Sequence, residues 1–275
     1  MYNIGIDVAL FLTSIQIIYN FNILFEDKVI KNPSSSMILL NTGIIGGGTI
    51  VFNNICKYLI KNNQKLLESV QAFFYYLFNC ILLHNILHSK EWFYTRTFFK
   101  NTSEHRFTYI EQIVLLISVI HYVIELYDRW YVINTVMIKR KDDIEMMVHH
   151  IITSLLIIGA YKMNLCRAAL FVLYLHDIND VLLQLSKSLV YIKVSTIITN
   201  ITFIAFIFSW IYTRLYLYKY IVEEMYQVFY GTSILSNILC YLLTILYGLN
   251  MYWFKLIMNV LYNNIFGGKL EDVRE

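Results

Sequence analysis

Long apolar runs, each close to the length of a bilayer crossing, constrain this sequence more than any other feature. A transmembrane helix needs about 20 predominantly apolar residues. Hydrophobic residues make up 58% of the chain and charged residues only 15%, a composition typical of membrane proteins. The runs lie at about 5–25, 37–52, 70–88, 109–135, 146–161, 168–190, 194–218 and 234–262. The sequence therefore predicts an all-α, polytopic integral membrane protein with seven or eight transmembrane helices.

Whether the protein has seven or eight transmembrane helices depends on the run at 37–52. It is short and holds four glycines between residues 43 and 48, which is typical of close helix packing or of a re-entrant segment. The alternative is a poor, loop-like helix. The run at 5–25 follows no basic residues and includes Asp7, so we expect a retained first helix and not a cleaved signal peptide.

Charge and cysteine content exclude other classes of protein. The net charge of +3 is too small to indicate a nucleic-acid partner, and no basic stretch is interleaved with aromatic residues. The cysteines lie far apart, within or beside apolar runs, and form no CxxC pair. We expect buried free thiols at Cys56, Cys80, Cys166 and Cys240.

Loop charges and one sequon indicate the orientation. Lys and Arg are slightly enriched in the loops on the side of the C-terminal tail, which makes that side cytosolic by the positive-inside rule. The glycosylation sequon Asn101-Thr102-Ser103 falls in a loop on the opposite side. We therefore expect a cytosolic C-terminus.

Two apolar runs also contain ionisable residues that are expensive to place in a membrane. They are His149, His150, His176, Asp177 and Asp180. An ionisable side chain at the bilayer centre costs roughly 2.5–3.5 kcal/mol or more and marks a functional site by default. We expect these side chains to line an interior polar site.

Helix arithmetic brings the two groups to a similar depth. The helices at 146–161 and 168–190 are joined by a short turn, so they must run in opposite directions. At about 1.5 Å per residue, His149 and His150 lie roughly 6–8 Å in from Glu145. Asp177 and Asp180 lie roughly 10–15 Å in from Lys187. Asp177, Asp180, Gln184 and Lys187 form one polar stripe, and Thr153 is one turn beyond the histidine pair.

Histidines near carboxylates in a low-dielectric cavity suit two kinds of chemistry, a general base held in one tautomer or an imidazole nucleophile that accepts an acyl group. The alternative is a proton relay or a hydrogen-bond network that locks helices together. Lys139, Arg140 and Lys141 at the cytosolic end could hold a phosphate-bearing substrate. They are equally consistent with ordinary positive-inside charge.

The stretch Lys139–Tyr191 resembles the longevity-assurance motif of ceramide synthases, the acyl-CoA-dependent N-acyltransferases of the TLC-domain family. The matching residues are Lys139-Arg140-Lys141-Asp142, His149-His150, Thr153, Tyr161, Asn164, Arg167, His176-Asp177, Asp180, Leu182-Leu183 and Lys187. The similarity extends to Glu91-Trp92-Phe93-Tyr94, Tyr252-Trp253-Phe254 and Gly268-Lys269-Leu270-Glu271-Asp272, and so covers most of the chain from about residue 66. The sequence departs from the family pattern at Ala169, Asn179, Gln184 and Val190.

The resemblance implies a fold and a reaction. The fold is a six-helix barrel enclosing an acyl tunnel, with N-terminal membrane helices and a cytosolic linker over 1–65, the catalytic domain over 66–265 and a cytosolic tail over 266–275. The reaction transfers an acyl group from fatty acyl-CoA to the amine of sphinganine or sphingosine. Acyl-CoA is a co-substrate, and no bound cofactor or metal is implied.

The resemblance also implies roles, partners and a location. One of His149 and His150 accepts the acyl group or acts as general base, with His176 supporting and Asp177 and Asp180 orienting and charge-matching the histidine. Substrate binding falls to Lys139, Arg140, Lys141, Thr153, Asn164, Arg167 and Lys187. The expected partners are acyl-CoA, a long-chain sphingoid base and membrane lipid, with a homodimer or a small accessory membrane subunit as further possibilities. The expected location is the endoplasmic reticulum membrane.

Two rival classes are distinguishable from the sequence. A membrane di-iron hydroxylase needs about eight histidines in HxxxH and HxxHH boxes, whereas this chain has seven in all. We therefore interpret His84 and His88 as packing or interfacial residues. His105 and His121 have no convincing partner residues in the sequence. The second rival is a non-catalytic TLC-domain protein for lipid sensing or translocon association, whose members generally lack the complete set of histidines and aspartates.

Overall fold

The computed structural model describes residues 55–56, 58–60, 63–95, 98–99, 108–135 and 142–267. These residues form helices and turns without any strand. The apolar runs at 5–25 and 37–52, the sequon and the tail beyond Gly267 lie outside the described residues. The chain divides into two compact units, Met1–Gln71 and Ala72–Glu275, and the site described below lies wholly in the second.

Eight α-helices and one π-helical segment cover most of the described chain. They are α1 (Gln64–His88), α2 (Glu91–Thr95), α3 (Tyr109–Thr135), α4 (Asp143–Lys162), α5 (Cys166–Tyr191), α6 (Thr196–Trp210), the π-helical segment (Ile211–Leu217), α7 (Tyr218–Phe229) and α8 (Ile234–Gly267). The segment from α6 to α7 is continuous, because the caps of its parts retain helical backbone angles.

Six of these helical stretches are long and apolar enough to cross a membrane. They are Gln64–His88, Ile110–Tyr131, Asp143–Lys162, Cys166–Tyr191, Thr196–Phe229 and Ile234–Phe266. Each corresponds to one predicted run from residue 70 onward. The prediction of an all-α polytopic membrane protein is confirmed for the part of the chain that the structure describes.

Local sequence explains where two of these helices begin and end. Thr108 and Glu111 form a capping box before α3: the Thr108 amide donates to Glu111 Oε2 at 2.8 Å, and the Glu111 amide donates to Thr108 Oγ1 at 3.4 Å. Between α4 and α5, Asn164 has a φ of 57°, a conformation that asparagine tolerates better than most residues. This turn reverses the chain, as the sequence predicts.

The site is built where α4 and α5 meet the other helices. Helix α4 packs against α3, α5 and α8, and α5 packs against α6 and the π-helical segment. Close approach of α4 to α8 is possible at Gly159, which has no side chain and touches Leu239. A cluster of buried aromatic and aliphatic side chains, Phe203, Phe206, Ile207, Trp210 and Trp253, joins α6 to α8. The buried stripe of α4 is therefore enclosed by neighbouring helices.

Candidate functional site

Three histidines meet in the interior of the second unit. His149 and His150 on α4 have ring centroids 5.4 Å apart, and the rings of His149 and His176, on α5, stack at 6.2 Å. All three are buried, with exposures of 6%, 2% and 3%. The expected convergence of α4 and α5 therefore brings the imidazoles together within the described structure.

Aromatic side chains from three other helices enclose the histidines. The Trp253 ring on α8 meets His149 edge-on at 5.3 Å, and Tyr218 on α7 meets His176 edge-on at 5.4 Å. Tyr122 on α3 lies 5.5 Å from the ring of His150. These contacts hold the imidazoles in a mostly apolar shell, where polar interactions are stronger than in water.

The tautomer of His176 follows from its contact with the backbone. Nδ1 lies 2.8 Å from the carbonyl oxygen of Val172. A carbonyl can only accept, so Nδ1 carries the proton, and in the neutral ring Nε2 keeps a lone pair. Nε2 is buried and has no hydrogen-bond partner among the residues that the structure describes. In this tautomer, His176 can accept a proton or a hydrogen bond from a substrate.

The two aspartates contact polar side chains on other helical segments. Asp177 accepts a hydrogen bond from the side-chain amide of Asn79 on α1. Both carboxylate oxygens of Asp180 lie 2.9 Å from Nη2 of Arg214. These hydrogen bonds join α5 to α1 and to the π-helical segment. That the two carboxylates orient and charge-match a catalytic histidine stays a prediction.

Arg214 is the main site residue that the sequence reasoning did not select. Its side chain is 3% exposed and lies over the Trp210 ring, 4.6 Å from the centroid. Nη2 also donates to the backbone carbonyl of His176 at 3.1 Å, and Nη1 donates to Asn250 at 3.4 Å. The guanidinium therefore connects the histidine-bearing turn of α5 to α8. A lone arginine in the apolar run 194–218 was the signal that could have identified it.

The π-helical segment explains how Arg214 reaches this position. Trp210 and Arg214 hydrogen-bond to Asn250, and the Tyr218 hydroxyl donates to the carbonyl of Leu243, so all three face α8. Steps of four residues drift by about 40° around an ordinary α-helix. The wider π turn offsets this drift and keeps the three side chains on one face. Such turns occur frequently at functional sites.

A cavity with a mostly apolar lining adjoins His176. Its polar lining residues are Tyr122, Thr153 and His176, and most of the others are aliphatic residues of α4, α5, α7 and α8. Along α5 the lining extends from His176 to Leu165, a distance of about 16 Å. The cavity therefore has an elongated, mostly apolar lining that includes one imidazole.

The predicted substrate-binding residues do not all lie at the same place: one lines the cavity and others lie elsewhere along α4 and α5. Thr153 lines the cavity, and its hydroxyl donates to the carbonyl of His149 at 2.8 Å. Asn164 and Arg167 lie at the turn between α4 and α5, away from the histidine pair, where Arg167 stacks over Trp92 at 5.8 Å. Lys187 is near the end of α5. Lys139, Arg140 and Lys141 lie outside the described residues. A substrate-binding role for these residues stays a prediction.

Several secondary expectations can also be compared with the structure. All four cysteines are free and buried, as predicted. His84 is exposed, and its Nδ1 contacts the Tyr174 hydroxyl at 3.0 Å. The His121 ring stacks on Tyr75 at 3.7 Å. His105 lies outside the described residues. No group of three or more His, Cys, Asp and Glu side chains could share a metal ion in the part of the chain that the structure describes.

The chain belongs to the TLC-domain family, which matches residues 65–259. This match includes every residue of the site described above. It defines the protein as a polytopic membrane protein built on a TLC domain.

Individual relatives make the similarity more specific. The chain is 30% identical over 156 residues to ceramide synthase hyl-1 of Caenorhabditis elegans, covering 51% of this chain and 42% of that protein. It is 31% identical over 159 residues to ceramide synthase 1 of Homo sapiens, covering 50% and 43%. It is also 31% identical over 149 residues to ceramide synthase LAG1 of Saccharomyces cerevisiae, covering 49% and 36%. The matches span less than half the length of these curated relatives.

Proposed function

We propose that this protein is an N-acyltransferase that joins a fatty acyl group from acyl-CoA to the amine of a long-chain sphingoid base, forming ceramide or dihydroceramide. The observation that carries the proposal is the apolar cavity with His176 in its wall and His149 and His150 beside it. The similarity to ceramide synthases supports the same conclusion. The catalytic membrane domain corresponds to residues 66–265.

In this proposal the two parts of acyl-CoA bind in different environments, the acyl chain in an apolar one and the CoA phosphates in a basic one. The acyl chain lies among the aliphatic residues, where its burial is favourable by roughly 0.8 kcal/mol per methylene group. The thioester lies at the histidines, and the CoA phosphates are held at the cytosolic mouth by Lys139, Arg140 and Lys141. Thr153, Asn164, Arg167 and Lys187 complete the proposed substrate contacts.

The covalent route uses an imidazole of His149 or His150 as nucleophile. A ring nitrogen lone pair attacks the thioester carbonyl carbon, the C–S bond breaks, and the CoA thiolate leaves. The sphingoid amine then attacks the acyl carbon, the bond between that carbon and the ring nitrogen breaks, and the amide forms. The amine loses one proton in this second step, and the free Nε2 of His176 is a suitable acceptor.

The direct route gives the same product without an acyl-enzyme. Here the amine attacks the thioester carbon while His149 or His150 takes its proton, and the thiolate leaves with the C–S electrons. In both routes Asp177 and Asp180 act through their contacts with Asn79 and Arg214, which hold α5 and therefore His176 in place. They are positioning residues in this proposal.

The cellular setting follows from the same proposal. The protein is a multi-pass protein of the endoplasmic reticulum membrane with its C-terminus in the cytosol. Its substrates reach the site from the membrane and from the cytosol. A homodimer or a small accessory membrane subunit completes the active assembly.

Purified protein in lipid nanodiscs, with labelled sphinganine and acyl-CoAs of several chain lengths, tests the activity. We expect at least one of the variants His149→Gln and His150→Gln to lower kcat by about 10²–10⁴-fold, because an essential base or nucleophile contributes that much. His88→Ala is the matched control, since His88 is exposed at the end of α1. Equal activity of all three variants would remove the histidines from the mechanism.

Intact-protein mass spectrometry separates the two routes. Incubation with acyl-CoA alone, followed by acid quenching, should add the mass of one acyl group if the covalent route operates. The adduct should be absent in one of the two histidine variants and present in His88→Ala. An active enzyme without any adduct supports direct attack. A native protein without transferase activity at every chain length, alone or in its native membranes, supports a non-catalytic TLC-domain protein.

A further inference from the structure

Gly159 on α4 and Leu239 on α8 are in close contact at the wall of the apolar cavity. Leu239 is 2% exposed and lines the apolar cavity. A Cβ atom built on Gly159 would overlap Leu239 Cδ2 and would lie 3.3 Å from its Cγ and Cδ1. The Leu239 side chain therefore occupies the space that a larger residue at position 159 would need.

This contact lies far from the histidines along the cavity. Gly159 is ten residues after His149, which corresponds to about 15 Å along α4. On α8, Trp253 contacts His149 and Leu239 contacts Gly159, so the two helices run antiparallel with Leu239 at the distant end. The thioester end and the Leu239 end of the cavity are thus separated by most of the length of an acyl chain.

Small residues on α4 and α5 create the space that Leu239 limits. Ala160, Ala168 and Ala169 line the cavity near the α4–α5 turn. Their short side chains leave room that larger residues would fill. Because Leu239 faces this room from α8, its position decides how much of the distant end is available to a ligand.

We infer that Gly159 and Leu239 together set the longest acyl chain that the cavity accepts. Gly159 allows Leu239 to rest against α4, and this position of Leu239 defines the distant wall. This inference rests on the proposed acyltransferase function and identifies the residues that select among its acyl-CoA substrates. It predicts that changes on the two sides of the contact shift chain-length preference in opposite directions.

Leu239→Ala should lengthen the preferred acyl chain. The substitution removes three carbon atoms from the wall, which frees space for about two further methylene groups. A hydrophobic pocket discriminates by about tenfold or more per methylene group. We expect kcat/KM for an acyl-CoA two carbons longer than the native optimum to rise by about tenfold relative to the optimum itself. Leu239→Val, which removes one carbon, should shift the ratio in the same direction by less.

Gly159→Ala should shorten the preferred chain. The new methyl group displaces the Leu239 side chain, and the adjoining cavity is the available space. The double variant Gly159→Ala/Leu239→Ala should lie between the two single variants, because the shortened residue 239 no longer meets the added methyl. Gly248→Ala is the matched control on α8, since a Cβ there meets nothing within 4 Å.

The experiment measures kcat/KM for a series of saturated acyl-CoAs with the native protein and these five variants in nanodiscs. Thermal unfolding of each variant establishes that it is folded. Opposite shifts for the Leu239→Ala and Gly159→Ala variants, with Gly248→Ala unchanged, are the expected result. An active native protein whose profile is the same in all variants overturns the inference and leaves the proposed function intact. No transfer by the native protein at any chain length is the separate failure of the proposed function.

Discussion

Replacing Arg214 tests how much of the site depends on one buried cation. The Arg214 side chain is 3% exposed, and Asp180 is 19% exposed. Removing one member of a buried ion pair costs about 3–5 kcal/mol, because the other charge stays buried without its counter-charge. Since Asp180 keeps some access to solvent, we expect Arg214→Met to lower the free energy of unfolding by about 3 kcal/mol.

The same helical stretch contains a matched control. Lys219 and Glu223 form an ion pair at 3.3 Å, with side-chain exposures of 58% and 55%. Exposed pairs of this kind contribute about 0–1 kcal/mol. Lys219→Met removes a charge of the same sign five residues further along the same continuous helical stretch, so its effect on the free energy of unfolding should be small.

Unfolding of the purified variants by SDS in mixed micelles gives the comparison. The double variant Arg214→Met/Asp180→Leu should recover much of the stability lost by Arg214→Met, because replacing both charges by apolar groups removes the desolvation cost. If Arg214→Met costs no more than Lys219→Met, or if the double variant is as unstable as the single one, burial of the ion pair is not what holds α5 to the π-helical segment.

Two further substitutions test local contacts. Asn79→Leu removes the amide that donates to Asp177, so it should lower the free energy of unfolding in SDS titrations by about 1–3 kcal/mol; the native value would contradict the assigned hydrogen bond. Asn164 has a φ of 57°, so Asn164→Val should cost about 1–2 kcal/mol whereas Asn164→Gly should cost little. Thermal unfolding midpoints of these two Asn164 variants test the turn, and equal midpoints would argue against backbone strain.

Much of the fold was predictable because a membrane restricts the choices. Backbone groups in hydrocarbon must hydrogen-bond internally, so apolar runs of sufficient length become helices. Each described crossing coincides with a predicted run for that reason. The extent of the fifth crossing was less predictable: the run ended at about residue 218, whereas the helix continues to Phe229. That extension contains two tyrosines, three charged residues and one glutamine, and hydropathy alone does not distinguish it from a loop.

The sequence predicted which histidines and aspartates form the candidate site. It did not predict which residues these side chains contact. The cost of burying charge selected His149, His150, His176, Asp177 and Asp180. It did not reveal which residue each carboxylate would meet. Those partners come from helices that are distant in sequence, and the pairing of helices depends on how their side chains interdigitate.

The sequence alone determined the number and type of the described crossings, the turn between α4 and α5, and the convergence of histidines on that pair of helices. These features follow from hydropathy and helix geometry, which act over short distances along the chain. Only the tertiary structure decided that Arg214 pairs with Asp180, that a π turn aims it there, and that Leu239 limits the cavity beside Gly159. Each depends on packing between α4, α5, the π-helical segment and α8, because residues far apart in the sequence become neighbours only when these helices pack together.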